Sequence, residues 1–269
     1  MGVDFGVDLN PEVPNAARIY DYILGGKNNY AADRATADKL LSLMPEVKAG
    51  ALANRVFLRR AVRELAAAGV DQFLDIGSGL PTQENVHEVA HSVNPDARVV
   101  HVDYDQLVVA HGRALLEDDP RVRFAIGDVR RPAEILGAPE VAELIDFSRP
   151  VAVLMIALLH FVTDDEDPAG IIAAFRERMA PGSHLALTHV CHDGVDPELI
   201  RRGTALYDRA SAPFTSRSEA QIAFFFDGFE LLEPGLVEVS RWRPPLTAVD
   251  DAPPPAGKAR MIGGVARLP

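Results

Sequence analysis

Short apolar runs alternate with helix-period stretches along most of the chain. QFLDI (Gln72–Ile76), RVVHVD (Arg98–Asp103), VRFAIGD (122–128), VAVLMIALL (151–159) and HLALTHV (184–190) have the length and β-branched content of strands. Between them, Val86–Val93, Gln106–Leu116 and PAGIIAAFRERMAPG (168–182) carry apolar residues at helical spacing, the last stopping at the Pro181-Gly182 turn. This alternation predicts an α/β fold with a parallel, doubly wound, Rossmann-like sheet. Ahead of the first strand, NRVFLRRAVRELAAAG places Leu58, Val62, Leu65 and Ala66 on one helix face, with Asn54 as the expected N-cap and Gly69 as the stop. Pro11 and Pro14 mark an irregular lead-in, and the stretch to Leu43 reads as helices broken at Gly25-Gly26. Residues 1–52 are therefore expected to form a helical cap, and residues 53–269 the α/β domain. Near the C-terminus, a polar helical insertion (197–209) precedes FFFDGFELLEPGLVEV and MIGGVARL, two closing segments separated by a proline-rich loop (244–255). The Phe224 to Phe226 triplet reads as core ahead of a strand. No internal repeat is present.

Composition narrows the class. With 269 residues and 48% hydrophobic content the chain can fill a large core. Lys+Arg 27 against Asp+Glu 39 gives a net charge of −12, which argues against nucleic-acid and anionic-membrane partners. The single cysteine, Cys191, rules out an intrachain disulfide, and MGVDFGVDLNPEVP has neither the basic start nor the apolar core of a signal peptide, so a cytoplasmic location is expected. The longest apolar run, 151–159, falls well short of the roughly 20 residues that span a bilayer.

Candidate chemistry gathers at the strand ends. LDIGSGLPT (74–82) is a strand, a glycine turn and a helix start, in which Gly77 permits the turn and Gly79 lets a ligand approach the backbone. Thr82 stands where a dinucleotide fingerprint has its third glycine. Asp103 ends the second strand, where a carboxylate can accept both hydroxyls of a ribose, and Tyr104 can pack on an adenine. Asp128 ends the third, where it can accept an adenine amino group while the Val129 amide meets a ring nitrogen. Helix capping accounts for each carboxylate taken singly; all three ends on one rim favour adenosine.

LDIGSG, VVHVDYDQLVVAHGRALL, FAIGDV and FFDGFELLEPGLV together resemble class I S-adenosylmethionine-dependent methyltransferases over roughly residue 53 to the C-terminus. The resemblance implies a sheet of about seven strands, antiparallel only at the last, MIGGVARL. It implies S-adenosylmethionine as cofactor, with Asp75, Gly77, Ser78 and Gly79 at its methionine part, Asp103 and Tyr104 at the ribose and adenine, and Asp128 with Val129 at the adenine. YDYILGGKNNYAAD and GLPTQ are also similar to a bacterial group of S-adenosyl methyltransferases whose substrates are not established.

The acceptor side is expected after the fourth strand. LLHFVTDDED (158–167) resembles a segment of small-molecule O-methyltransferases in which a histidine is the general base, which makes His160 the base candidate; filling the strand-helix junction is its other role. Phe161 and Val162 depart from that pattern. Asp164, Asp165 and Glu166 read as a solvated acidic loop. His189, Cys191 and His192 alternate sides on a strand, so a metal site is not expected, and His189 is a substrate-wall candidate. No Asn/Asp-Pro-Pro-Tyr type sequence follows the fourth strand, which with the acidic charge favours a small-molecule substrate, methylated on oxygen or nitrogen.

YDYILGGKNNY (20–30) lies in the expected cap. Tyr20 and Tyr30 are candidates for substrate contact, Tyr22 for the cofactor, and Arg18 or Lys27 for the cofactor's carboxylate. A non-catalytic cofactor-binding module and a nicotinamide-dependent oxidoreductase are the alternatives that share the glycine turn.

Overall fold

In the computed structural model, which describes residues 10–81, 85–116, 119–243 and 260–269, eight strands form one sheet. They are β1 (Gln72–Ile76), β2 (Arg98–Asp103), β3 (Val122–Ile126), β4 (Ala152–Met155), β5 (His184–Cys191), β6 (Glu230–Leu231), β7 (Val237–Glu238) and β8 (Arg260–Arg267). Their order is β3-β2-β1-β4-β5-β8-β6, with β7 also on β8. The first five strands are mutually parallel, and β8 is antiparallel to each of its neighbours. MIGGVARL is thus the antiparallel last strand, as expected. The preceding segment is not one strand. It yields β6 and β7, which occupy two short stretches of the β8 edge left free by β5, so the seventh position of the sheet is split. The expected proline-rich loop, residues 244–255, lies outside the described residues.

Ten helices surround the sheet among the described residues: α1 (Ala16–Ile23), α2 (Ala31–Leu43), α3 (Val47–Ala67), α4 (Val86–Val93), α5 (Gln106–Leu116), α6 (Pro132–Leu136), α7 (Pro139–Leu144), α8 (Pro168–Arg176), α9 (Pro197–Ala205) and α10 (Glu219–Phe224). Successive strand side chains point to opposite faces, so each strand feeds two cores. Phe73, Val99, Leu154 and Ala186 pack with Phe57, Val62 and Leu65 of α3 and Val89 of α4. Leu74, Val100, Val153 and Leu185 pack on the other face with Ile135, Val141, Ile171 and Phe175 of α6 to α8. Both faces being covered, the strands read as near-continuous apolar runs, which is why their extents were predictable.

Two expectations need correction. Helix α3 starts at Val47, ahead of Asn54, which is buried inside the helix and caps nothing; the expected boundary at 52/53 falls within this continuous element. Of the phenylalanine triplet, Phe225 and Phe226 are core, whereas Phe224, at the end of α10, is 63% exposed.

The N-terminal helices form their own apolar cluster, with Ile19, Ile23, Ala37, Leu40 and Ala51 meeting Tyr207 from beyond α9. Asn15 caps α1 through the amides of Ala17 and Arg18, and its Nδ2 donates to Asp105 just past β2 (2.7 Å). The Ser211 hydroxyl accepts from Tyr104 (2.7 Å) and from the Ala16 amide (3.2 Å). Helices and sheet rim are therefore joined by hydrogen bonds as well as by packing.

The YDYILGGKNNY run is organised by its aspartate. Asp21 is 3% exposed, and its carboxylate accepts from the Asn28 amide and the Asn29 side chain (both 2.9 Å). Gly25 supplies a positive φ of 85°, and Gly26 is required because any Cβ there would strike the Asp21 carboxylate. Replacing Gly26 with Ala should destabilise the fold by about 2 kcal/mol, read as a lower denaturant midpoint at unchanged m-value.

Candidate functional site

The loops leaving the carboxyl ends of β1, β2 and β4 converge, because those strands are neighbours and parallel. After β1, Gly77 and Gly79 have φ of 71° and 68°, and the Gly77 and Ser78 amides donate to the Val102 carbonyl of β2. The two glycines are needed for different reasons. A Cβ on Gly77 would come within 2.6 Å of Leu158 on the β4 exit loop, whereas a Cβ on Gly79 would meet nothing and project into open space. The Ser78 hydroxyl is buried without a partner among the described residues. Position 82, where a third glycine would stand, lies outside the described residues.

Asp103 is bound to this turn. Its carboxylate is 5% exposed and accepts from the Gly79 amide and the Asp105 amide, both at 2.9 Å. Burial pushes its pKa up to about 6; the two backbone bonds oppose the rise, and Asp105 and Asp75 add to it. Asp75 lies across from His101 in the β1–β2 register and accepts from its Nδ1 at 2.8 Å. His101 Nε2 lies 3.0 Å from His87 Nδ1, so a chain of contacts runs from His87 through His101 to Asp75. Burial lowers His87 to about 4, with His101 and His91 reinforcing the shift. Asp75, Ser78, Gly79, His101 and Arg55 of α3 line one small pocket. The sequence reading missed His87, His101 and Arg55; once β1 and β2 are paired in register, His101 is the residue beside Asp75, whereas nothing local marks Arg55.

The adenine-side candidates are less open. Tyr104 is 40% exposed beside Asp103, its hydroxyl given to Ser211. Asp128 is ion-paired with Arg130 (2.6 Å), which also holds Glu166 (3.0 Å), and Val129 is buried in the core. The acidic loop is correspondingly more engaged than a solvated one: Glu166 closes a capping box with Thr163, and Asp164 pairs with Arg217 (2.7 Å).

A second, larger space, a cavity of about 120 Å³, lies between the N-terminal helices and α9. Its walls are mostly apolar, with Tyr20, Ile23, Leu40, Met44 and Ala51 on one side and Phe161, Ile200, Tyr207 and Phe214 on the other. Ala157, His160 and residues 190–192 at the ends of β4 and β5 contribute to its lining, with Ser216 and Arg260 as further polar members. His160 is 4% exposed, and its Nδ1 is buried without a partner among the described residues. Burial, then the nearby His189 and Arg217, hold its pKa well below the ordinary histidine value, so it is a neutral imidazole. Arg217, another residue the sequence reading missed, braces the loop that carries His160. Its guanidinium donates to the carbonyls of Leu159 (2.9 Å) and Val162 (2.8 Å) and to His189 Nε2 (2.9 Å).

The cap candidates separate. Tyr20 lines the cavity, its hydroxyl donating to the Ala51 carbonyl (3.2 Å) and accepting from Asn54 (3.1 Å). Tyr22 does not: its hydroxyl bonds Asp38 of α2 (3.1 Å). Tyr30 precedes α2 with Arg18 over its ring, and Arg18 is itself buried against Asp33 (2.8 Å) and the Val13 carbonyl (2.8 Å). Lys27 is exposed. His189 also leaves the expected position, since it is fully buried behind His160, with ring centroids 5.4 Å apart. Cys191, buried on the cavity wall, lies 3.5 Å from Arg260 Nη2, and burial raises its thiol pKa. No helix among the described residues is long and apolar enough to cross a membrane.

Comparisons agree with this geometry. A family model described as S-adenosyl methyltransferase matches residues 5–269. The chain is 42% identical to a crystal structure from Thermobifida fusca YX assigned as a methyltransferase, with a TM-score of 0.88 and coverage of 98% of this chain and 97% of that one. It is 40% identical to a DUF574 family protein from Streptomyces avermitilis MA-4680, with a TM-score of 0.87 and coverage of 96% and 99%. No curated protein matches. Neither the nicotinamide-dependent nor the non-catalytic reading gains support from these matches. A match spanning nearly the whole chain, together with a glycine turn joined to a strand-end carboxylate, establishes that the protein belongs to the S-adenosyl methyltransferase family, with S-adenosylmethionine as its cofactor.

Proposed function

We propose that the protein methylates a small, largely apolar molecule held in the cavity beneath the N-terminal helices, on oxygen or nitrogen, with His160 taking the acceptor's proton. The observation that carries this is the buried Nδ1 of His160, without a partner among the described residues, on the wall of an apolar cavity lined by the same β4 exit loop whose Leu158 packs on Gly77. An acceptor hydroxyl or ammonium gives such a nitrogen the partner it lacks.

The cofactor supplies a methyl group on a positively charged sulfur, and the residues present fit it. The open face of Gly79 and the unpaired Ser78 hydroxyl receive the methionyl part, together with Asp75 and Gly77. Asp103 receives the ribose, and Tyr104 stands beside it for the adenine. Asp128 can serve the adenine only once its pair with Arg130 opens or is shared, so the ribose end of the site is the better preformed. Tyr20 keeps its substrate-side role at the cavity. Burial holds His160 neutral, so it would enter as a proton acceptor, and its lowered pKa makes it a weak base that would take the proton only as the acceptor's new bond forms.

Incubation with S-adenosylmethionine and a library of small hydroxyl and amine compounds should produce S-adenosylhomocysteine with a methylated product. Changing His160 to Gln should lower kcat about 100-fold while leaving S-adenosylhomocysteine affinity within about twofold. Turnover at the wild-type rate would remove the base from this account.

The Asp103 carboxyl, raised to about 6, sets a pH dependence. Only its ionised form accepts from both ribose hydroxyls, so affinity for S-adenosylhomocysteine is full above that value and is lost as pH falls through it. Calorimetry should find binding about tenfold weaker at pH 5 than at pH 7. In Asp103→Asn the affinity should be low and flat across this range.

A further inference from the structure

We propose that Asn54 is a cofactor-positioning residue: its side-chain carbonyl accepts a hydrogen bond from the α-ammonium group of the cofactor's methionyl end, and its amide nitrogen ties that end to the wall of the substrate cavity through Tyr20. The inference rests on the reading that the glycine turn holds the methionyl part.

Asn54 is anomalous where it stands. It lies within α3, is 1% exposed, and caps nothing, although asparagine is a poor helix-interior residue and a buried amide is costly. Half of that amide is accounted for. The Tyr20 hydroxyl has one proton, and it goes to the Ala51 carbonyl, which can only accept. The atom that Asn54 presents to Tyr20 must then be a donor, which makes it Nδ2 and settles the orientation of the amide. Oδ1 is the atom left over, buried and without a partner among the described residues. An acceptor left this way weakens the fold unless a ligand supplies the missing donor.

The neighbours of Asn54 on α3 point to the donor. On the same helix, Ala51 lines the substrate cavity and Arg55 lines the glycine-turn pocket with Asp75. In that pocket Ser78 Oγ is a second buried polar atom without a partner. The lining of that pocket brings a guanidinium, a carboxylate and a hydroxyl together, a set complementary to a zwitterionic α-amino-acid group, and Asn54, the residue before Arg55 on α3, would add its unpaired amide oxygen to that set. The carbonyl of Asn54 can serve only its cationic half. Tyr20 then carries the same contact to the cavity, so one asparagine touches both ligands' surroundings.

Calorimetry with two ligands tests this. S-adenosylhomocysteine carries the amino-acid end, and 5′-methylthioadenosine keeps the adenosine and thioether without it. Asn54→Leu should weaken S-adenosylhomocysteine about 10- to 100-fold and leave 5′-methylthioadenosine within about twofold. Equal loss for both ligands, or no loss for either, overturns the proposal. Should the leucine variant fail to fold, Asn54→Asp keeps an acceptor and should hold S-adenosylhomocysteine to within about threefold of wild type or tighten it; a loss about tenfold or larger that spares 5′-methylthioadenosine overturns the proposal equally. Gly79→Val, which fills the space over the glycine turn, reports on the underlying reading alone: if it leaves S-adenosylhomocysteine affinity intact, that reading fails, whatever Asn54 does.

Discussion

The hydrogen bond from the Gly79 amide to the Asp103 carboxylate joins the turn after β1 to the end of β2, and the site is arranged around it. It is possible only because β1 and β2 are parallel and in a register that sets Asp75 beside His101 and brings both strand ends to one rim. The same carboxylate is buried and held near its titration range, so it is poised for a polar ligand and costly to keep without one. Leu158 pressing on Gly77 adds the β4 exit loop to this junction, and with it His160. The glycine turn and the loop that carries His160 therefore meet in one packed contact.

Around that junction, charges are neutralised locally and in chains. Arg217 ties the loop after β4 to His189 and Asp164, and Arg130 ties the end of β3 to the same loop through Asp128 and Glu166. Each guanidinium spans two segments remote in sequence, which suits its planar, multi-donor geometry. The result is a rim whose loops hold one another beside an apolar cavity of about 120 Å³. The N-terminal helices complete its wall, and Asp21, not the tyrosines around it, gives their connecting turn its shape. A run that reads as an aromatic surface for ligands is thus first a folding motif, and of its tyrosines Tyr20 alone lines the cavity.

Most of the fold, with the glycine turn and the acidic strand ends, could be read in the chain. Strands buried on both faces show as continuous apolar runs, and the turn residues that end them are set by local backbone sterics, so QFLDI, RVVHVD and the glycine turn were located to the residue. Local signals failed where a residue's role depends on a distant partner. Asn54 has the composition of a cap and the position of a buried helix-interior residue. His189 stands on a strand at wall spacing, yet Arg217 from another segment and His160 in front of it enclose it. Tyr22 and Tyr30 share a motif with Tyr20 but point to α2 and Arg18.

The sequence by itself determined the alternation of strands and helices, the glycine turn and the acidic strand ends, because each follows from the nearest few residues and from pleat or helix period, whereas the antiparallel closing strand followed from the resemblance to methyltransferases. Only the tertiary structure decided which polar atoms have partners. It left Asn54 Oδ1, Ser78 Oγ and His160 Nδ1 buried and unpaired among the described residues while giving Arg18, Tyr22 and His189 structural neighbours. The physical reason is that hydrogen-bond satisfaction in a low-dielectric interior is set by atoms brought together across the whole chain, and no local spacing encodes which of them will be left over.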